Sequence, residues 1–299
     1  MHPTVKQLKY FIALDECHHF GKAAAACFIS QSAFSVAIKE LENTLNVQLV
    51  DRSNQCVAIT AEGQAVARQA RLCISDLDAL MEMATQHTEP LSGKLTLGVI
   101  PTIAPYVLPA FVAEVQSRYP KLRLYLIEGK TEDIHAQLQD GKLDLILVAL
   151  PYQLRNVSMM TLFKDPFLLA SAKKSQWLQK GKVELENLPK ESVLLLEDGH
   201  CLREHALSAC NIRESEQVSR FAATSLHTML QMVAADIGIT FVPEMAKASL
   251  AATSPLALHP MPTQSYREIG LGWRTGSNRS EEFTLLGKLL QALHPASKT

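Results

Sequence analysis

With 299 residues, 47% of them hydrophobic, the chain is long enough for two or three packed domains and too apolar to be disordered. A formal net charge of −1 gives no global sign of nucleic-acid binding or of attraction to an anionic membrane. Six cysteines, at positions 17, 27, 56, 73, 201 and 210, are too sparse and irregular for a secreted disulfide framework.

Residues 1–14 carry Lys6 and Lys9 and no unbroken apolar core, so no signal peptide is expected; with the cysteine usage this points to a reducing cytoplasm. Val5, Leu8, Phe11, Ile12 and Leu14 recur at helical spacing and predict a helix over 4–16. A second helix is expected over 20–27, where Ala23–Ala26 allow close packing, and a third over 31–45, with Ser30 as its N-cap. Two short helices around a brief turn read as a helix-turn-helix. In that reading Gln31, Ser32 and Ser35 bond base edges or phosphates, and Lys39 and Arg52 contact the DNA backbone. Ala33, Phe34, Ile38 and Leu41 include the core side of the helix, and residues 55–60 form a strand, the wing. A plain three-helix bundle is the alternative. Residues 1–60 hold five Lys and Arg against five Asp and Glu, so a DNA-binding module here needs segregated charge or several copies acting together.

Residues 60–87 carry one long helical pattern, about 40 Å at 1.5 Å per residue. A sixty-residue domain cannot cover it, so it is expected to pair with its copy in another subunit. Residues 89–93 read as a hinge. Residues 95–112 are uncharged over a membrane-like length, but Gly98, Pro101, Pro105 and Pro109 break them, so no span is expected. Strands at 95–100, 122–127 and 143–148 alternate with helices at 104–118 and 131–138. This is a βαβ pattern, with a mostly parallel sheet. Strands at 167–170, 192–196, 239–242 and 269–273, with helices at 226–235 and 281–293, complete a second unit. Two α/β lobes with a cleft between them fit this count. No dinucleotide or P-loop glycine motif occurs, and no cofactor is implied. Thr102 and Thr131 follow the first two strands, where clefts of such sheets lie. Met159, Met160, Met229 and Met232 read as core.

Residues 195–210 contain Cys201 and Cys210 among ionisable neighbours. Asp198-Gly199 is a turn signal and the following residues read as helix, which puts Cys201 near a helix N-terminus. His200 before it and Arg203 two positions after it favour a thiolate. Helical geometry separates the two cysteines by about 13 Å, against the roughly 7 Å limit between bridged Cα atoms. A bond between them therefore reports oxidation as a change of shape. Two other readings stand beside this redox pair: ordinary buried thiols, and a zinc set of His200, Cys201, His205 and Cys210.

The run Ser30-Gln31-Ser32-Ala33-Phe34-Ser35, with Lys39-Glu40-Leu41-Glu42 and Thr60-Ala61-Glu62-Gly63, resembles the LysR-type transcriptional regulators over essentially the whole chain. Three further stretches are similar to the peroxide-sensing members of that family. They are residues 98–106, the string Glu197-Asp198-Gly199-His200-Cys201-Leu202-Arg203 with Cys210, and residues 223–226. The resemblance implies a winged helix-turn-helix at 1–60, a linker and dimerisation helix with hinge at 61–92, and a two-lobed, periplasmic-binding-protein-like redox-sensing domain at 93–299. It implies a regulator of antioxidant genes rather than an enzyme. Cys201 takes the peroxidatic and Cys210 the resolving role. Thr102, Thr131, His200 and Arg203 surround the peroxide or the sulfur. The implied partners are double-stranded DNA, further copies in a homodimer or homotetramer, RNA polymerase, hydrogen peroxide as signal, and reductants of the glutaredoxin or thioredoxin type. No metal or membrane partner is implied. Val50 departs from the family's usual aromatic or leucine beside the wing. The rival functions are a regulator with a small organic effector in the cleft and a thiol peroxidase.

Overall fold

The structure, a computed structural model, describes residues 2–51, 57–84, 91–178, 188–209, 217–253, 255–261 and 265–294. The chain packs as two units: Met1–Glu89 with Gln139–Lys142, and Pro90–Leu138 with Leu143–Thr299.

In the first unit, α1 (Val5–Cys17) opens with a capping box in which Thr4 and Gln7 satisfy each other's backbone N–H groups. Helix α2 (Phe20–Ala26) starts at His19, whose Nδ1 accepts from the Gly21 and Lys22 amides. Helix α3 (Gln31–Leu45) starts at Ser30, which accepts from the Ala33 amide as the sequence predicts. Phe11, Leu14, Ala23, Ala24, Phe34, Ile38 and Leu41 form the core, and Phe20 meets Phe34 edge to face. The two alanines let α2 approach closely, while Ala33 is exposed. Strands β1 (Val50–Asp51) and β2 (Ala58–Ile59) pair antiparallel as the base of a wing. Positions 52–56, with Arg52 and the first two residues of the strand expected at 55–60, lie outside the described residues. The long helix is α4 (Ala61–Ala84), and its Arg71 meets Asp15 of α1 at 2.6 Å. Residues 85–90, which include the end of this predicted helix and part of the predicted hinge, also lie outside the description.

In the second unit, β3 (Gly93–Val99), α5 (Ala104–Arg118), β4 (Leu122–Glu128), α6 (Thr131–Gln139) and β5 (Leu145–Leu150) follow the βαβ pattern read from the sequence. Strand β3 runs parallel to both β4 and β5. A Cβ at Gly98 would lie 2.6 Å from Leu143 and 3.1 Å from Ile134, so glycine lets α6 settle close on β3. That fixes Thr131, the first residue of α6, beside the end of β3.

The remaining strands correct the mostly parallel sheet. Strand β6 (Val157–Ala172) runs for 16 residues and pairs antiparallel with β11 (Tyr266–Arg274), β10 (Leu256–Pro260) and β9 (Thr240–Pro243). Only residues 167–170 of β6 were expected, because Lys164, Asp165 and Pro166 break its apolar run. The sheet order is β10-β6-β11-β5-β3-β4, with β9 also on β6. Strands β7 (Val193–Leu196) and β8 (Val218–Ala223) form a separate parallel pair. Helices α7 (Cys201–Ala209), α8 (Leu226–Ala234) and α9 (Lys247–Thr253) belong to this half, and α10 (Ser280–Leu293) returns to the first. Two cores result. One holds Leu97, Ile146, Phe111, Leu271 and Phe283; the other holds Leu169, Leu195, Met229 and Phe241. They are the two lobes, which share β6. Met159 and Met160 pack on the first core and Met229 and Met232 in or on the second, as expected.

Candidate functional site

Cys201 is the first residue of α7. The turn before it is made by Gly199, whose φ of +86° suits glycine and few other residues. The chain is held there by Lys130 Nζ, which donates to the Asp198 carbonyl at 3.2 Å. Lys130 and Thr131 come from the start of α6, and Ile100, Pro101 and Thr102 from the end of β3. Together with Gly199, His200 and Cys201 they line a cavity of about 10 Å³. That is room for about one water-sized molecule. The structure thus brings together Thr102, Thr131, His200 and Cys201, four of the residues singled out in the sequence.

The electrostatics differ from the sequence expectation. Cys201 is a free thiol, buried, and burial raises its pKa. The opposing influences are first the positive charge of Arg267, then the Thr131 hydroxyl and the thiol's own backbone amide. Burial wins, so the resting sulfur is protonated at neutral pH. Neither of the cations expected to favour the thiolate is among these influences. His200 is held neutral, its pKa lowered by burial and by the nearby Lys130 charge. Arg203 points elsewhere: its Nε meets Asp198 at 3.1 Å and its Nη1 donates to the Leu196 carbonyl at 3.4 Å. Two positions along a helix is 200° of rotation, so side chains at that spacing face away from each other. Arg203 braces the turn, and its charge is not among the influences that shift the Cys201 thiol.

Arg267 is the cation that the sequence reading missed. It is 1% exposed, and its Nε donates to Asp165 Oδ2 at 2.9 Å. Nη1 donates to the Thr102 hydroxyl at 2.9 Å and Nη2 to the Thr102 carbonyl at 3.0 Å. Asp165 also accepts from the Met245 amide at 3.1 Å. Asp165 and Arg267 are direct cross-strand partners on β6 and β11. A signal for Arg267 was present: with period two it shares a face with the buried Ile269, Leu271 and Trp273. Thr102 is therefore both a wall of the small cavity and the receptor of this guanidinium. The Thr131 hydroxyl is buried and satisfies no hydrogen bond by strict geometry, although it lies close enough to the sulfur to favour its thiolate.

Cys210 lies outside the described residues. His205, named with it in the zinc reading, shares a buried contact of 2.9 Å between its Nε2 and the Pro151 carbonyl. In this arrangement Nε2 carries the proton, since a carbonyl only accepts. Among the described residues, no group of three or more His, Cys, Asp or Glu stands close enough to hold a metal ion.

At the other end of the chain, Gln31, Ser32 and Lys39 are exposed on α3 and Ser35 is half-buried. Ser32 and Lys39 fall on the side opposite Phe34, Ile38 and Leu41, Ser35 flanks them, and Gln31 is exposed as the first residue of the helix, so α3 presents a polar N-terminal end with one cation. No single helix among the described residues is long and apolar enough to cross a membrane.

Comparison with known proteins gives consistent matches at both ends. Residues 5–64 match the family described as "Bacterial regulatory helix-turn-helix protein, lysR family", and residues 88–294 match "LysR substrate binding domain". The chain is 36% identical over 290 residues to the "Hydrogen peroxide-inducible genes activator" of Escherichia coli, covering 97% of this chain and 95% of that one. It is also 36% identical over 293 residues to the "HTH-type transcriptional regulator EstR" of Acinetobacter baylyi, covering 97% of both. Among solved structures, a full-length OxyR variant from Pseudomonas aeruginosa superposes with a TM-score of 0.84 at 29% identity, over 100% of this chain and 97% of that one.

Proposed function

Because the chain belongs to the LysR family of bacterial helix-turn-helix regulators, we propose that it is a transcriptional regulator that senses hydrogen peroxide through Cys201 and Cys210 and controls antioxidant genes. The observation that carries this reading is the placement of Cys201. A buried sulfur at a helix start faces a cavity of one water's size, walled by Thr102, Thr131 and His200 and backed by Arg267. Such a cavity excludes an organic effector and is on the scale of a molecule of one or two oxygen atoms. Overall identity does not choose among family members, since EstR matches as well as the peroxide-inducible activator. The string Glu197 to Arg203 around the cysteine does favour the peroxide-sensing members.

The chemistry takes two steps. The Cys201 thiolate attacks one peroxide oxygen, the O–O bond breaks, and a sulfenic acid forms while hydroxide leaves and takes up the thiol proton as water. The Cys210 thiol then displaces the sulfenic oxygen as a second water, and the S–S bond forms. Helix α7 keeps its ends apart: Ala209 is about 12 Å from Cys201 along the helix axis. One further residue spans about 3.8 Å, so a disulfide with Cys210 requires α7 to unwind. Thiol reductants of the glutaredoxin or thioredoxin type, in a reducing cytoplasm, return the pair to thiols. The refolded segment shifts subunit contacts in a homotetramer built on α4 pairs. That changes how the α3 residues Gln31, Ser32, Ser35 and Lys39, together with Arg52 beyond the helix, meet successive half-sites on DNA and how RNA polymerase is recruited. Regulation uses one oxidation per signal, so no catalytic turnover is required.

The test is mass spectrometry of peroxide-treated protein. A peptide joined through positions 201 and 210 is expected, and Cys201→Ser abolishes both this link and the peroxide response while DNA binding persists. Normal induction by a small organic effector in Cys201→Ser protein defeats the reading. So does peroxide consumption over many turnovers with a thiol donor at substoichiometric protein, which makes the chain a peroxidase.

A further inference from the structure

The second helix of a helix-turn-helix reads bases with the side chains it turns away from its own core. On α3, a step of about 100° per residue places Val36 roughly 170° from the mean direction of the buried Phe34, Ile38 and Leu41. Val36 is 57% exposed, and among the described residues it is the one large apolar side chain of α3 left in the open. Ser32, one turn before it, and Lys39, one turn after it, lie within about 60° of it around the helix. The centre of the outward face is therefore an aliphatic group framed by a hydroxyl and an ammonium.

We infer that Val36 is a specificity-determining residue that packs on the C5 methyl group of a thymine in the major groove and so sets the base preferred at one position of each half-site. This rests on the proposed reading of the chain as a DNA-binding regulator, not on its redox chemistry.

Val36 adds nothing to the fold. It stands outside the core of the first unit, and a β-branched residue is a weaker helix former than alanine. A side chain on a helix in the major groove meets hydrogen-bond donors and acceptors on the base edges, and one apolar group, the thymine methyl. Valine has no donor or acceptor of its own, so that methyl is the partner its chemistry selects. Helical side chains tilt toward the N-terminus, so Val36 covers the turn that begins at Ser32. That is the end of the helix from which base contacts are made.

Its neighbours discriminate less. A serine hydroxyl both donates and accepts, so Ser32 and Ser35 suit either kind of base edge. Lys39 is an exposed cation, and a phosphate of any sequence serves it. Gln31 can pair with adenine, which leaves Val36 as the second base-selective side chain of α3.

The experiment uses the full-length reduced protein. Duplexes selected from a random pool are expected to carry an invariant thymine in each half-site. Deoxyuridine in place of that thymine in one half-site removes the methyl and keeps every hydrogen-bonding group. Binding, read by fluorescence anisotropy, is expected to weaken about fourfold, the worth of one buried methyl group. With Val36→Ala protein the same replacement is expected to change nothing, which closes a double-mutant cycle on the contact. Alanine suits an exposed helix position, so an unchanged circular dichroism spectrum is expected. The salt slope of this variant is expected to equal that of the parent, since no phosphate contact is lost. Phe28, 95% exposed in the turn before α3, is the control, and Phe28→Ala is expected to keep the fourfold ratio. A thymine-to-uracil ratio that persists in Val36→Ala, or that vanishes in Phe28→Ala, overturns the inference. So do selected duplexes in which no thymine is sensitive to the replacement. A pool that yields no preferred sequence overturns base reading by the chain altogether, and a missing 201–210 link strikes the peroxide reading alone.

Discussion

At the scale of single residues, the reactive sulfur is a contest between burial and one buried guanidinium. Burial is ahead, so the thiolate fraction of Cys201 grows with pH through and beyond the neutral range. The initial loss of the Cys201 thiol to hydrogen peroxide is therefore expected to rise about tenfold per pH unit between pH 6.5 and 8.5. A plateau below pH 8, seen by stopped-flow or quench labelling, contradicts a raised thiol pKa. The guanidinium's share can be isolated. Arg267→Met removes the positive charge that most favours the thiolate and is expected to slow the same reaction about tenfold at pH 7.5, the effect of one close opposite charge. It also strands the 1%-exposed Asp165 carboxylate, at a stability loss of about 3–5 kcal/mol in denaturant titration. The double variant Asp165→Asn with Arg267→Met is expected to regain most of that stability and none of the reactivity. Recovery of both assigns Arg267 a packing role only. This pair also marks the limit of the sequence. The helix-start position of Cys201 and the strand-end positions of Thr102 and Thr131 were legible because turn, cap and strand signals sit beside them. Asp165 and Arg267 are 102 residues apart and meet through a strand register that no local pattern encodes. The local pattern also misdirected the reading of Arg203, because nearness in sequence is not nearness on a helix.

At the scale of elements, α7 does two things: it buries Leu202 and Ala206 in the core of the second lobe, and it holds its own two ends, Cys201 and Ala209, about 12 Å apart. The first is the restoring force for the second. If oxidation unwinds α7, packing of Leu202 contributes to the reduced form alone. Leu202→Ala then weakens the reduced form by about 2 kcal/mol. For a two-electron couple, about 1.4 kcal/mol corresponds to 30 mV, so the midpoint potential is expected to become about 40 mV more negative. A glutathione redox titration measures this, and an unmoved potential shows that α7 stays packed in the disulfide form. Most elements were visible in advance because their signals are local. Ser30 caps α3, period 3.6 sorts Phe34, Ile38 and Leu41 from Ser32 and Lys39, and apolar runs mark β3 and β5. Most of strand β6 escaped, all but residues 167–170, because it passes from one lobe to the other. Its polar middle, Lys164 and Asp165, serves neither lobe's core pattern, and β8 and β10 are too short and mixed to stand out.

At the scale of the whole molecule, the question is how a charge-balanced reading head holds DNA. Residues 1–60 carry as many acidic as basic side chains, and the α3 strip offers one cation, Lys39. Each neutralised phosphate contributes about 0.9 to the slope of log affinity against log salt, so a single head releases few counterions and binds weakly. Copies acting on linked half-sites multiply affinity through effective concentration and add their slopes. The full-length protein is therefore expected to show a salt slope on a two-half-site operator about twice that on a single half-site, read by fluorescence anisotropy between 50 and 200 mM salt. Lys39→Ala is expected to lower the two-site slope by about 2, one phosphate contact per copy. Equal slopes on the two DNAs mean that one head carries all the charge contacts. Binding then cannot be tuned by moving the heads apart, and a sensor that acts through subunit geometry loses its lever.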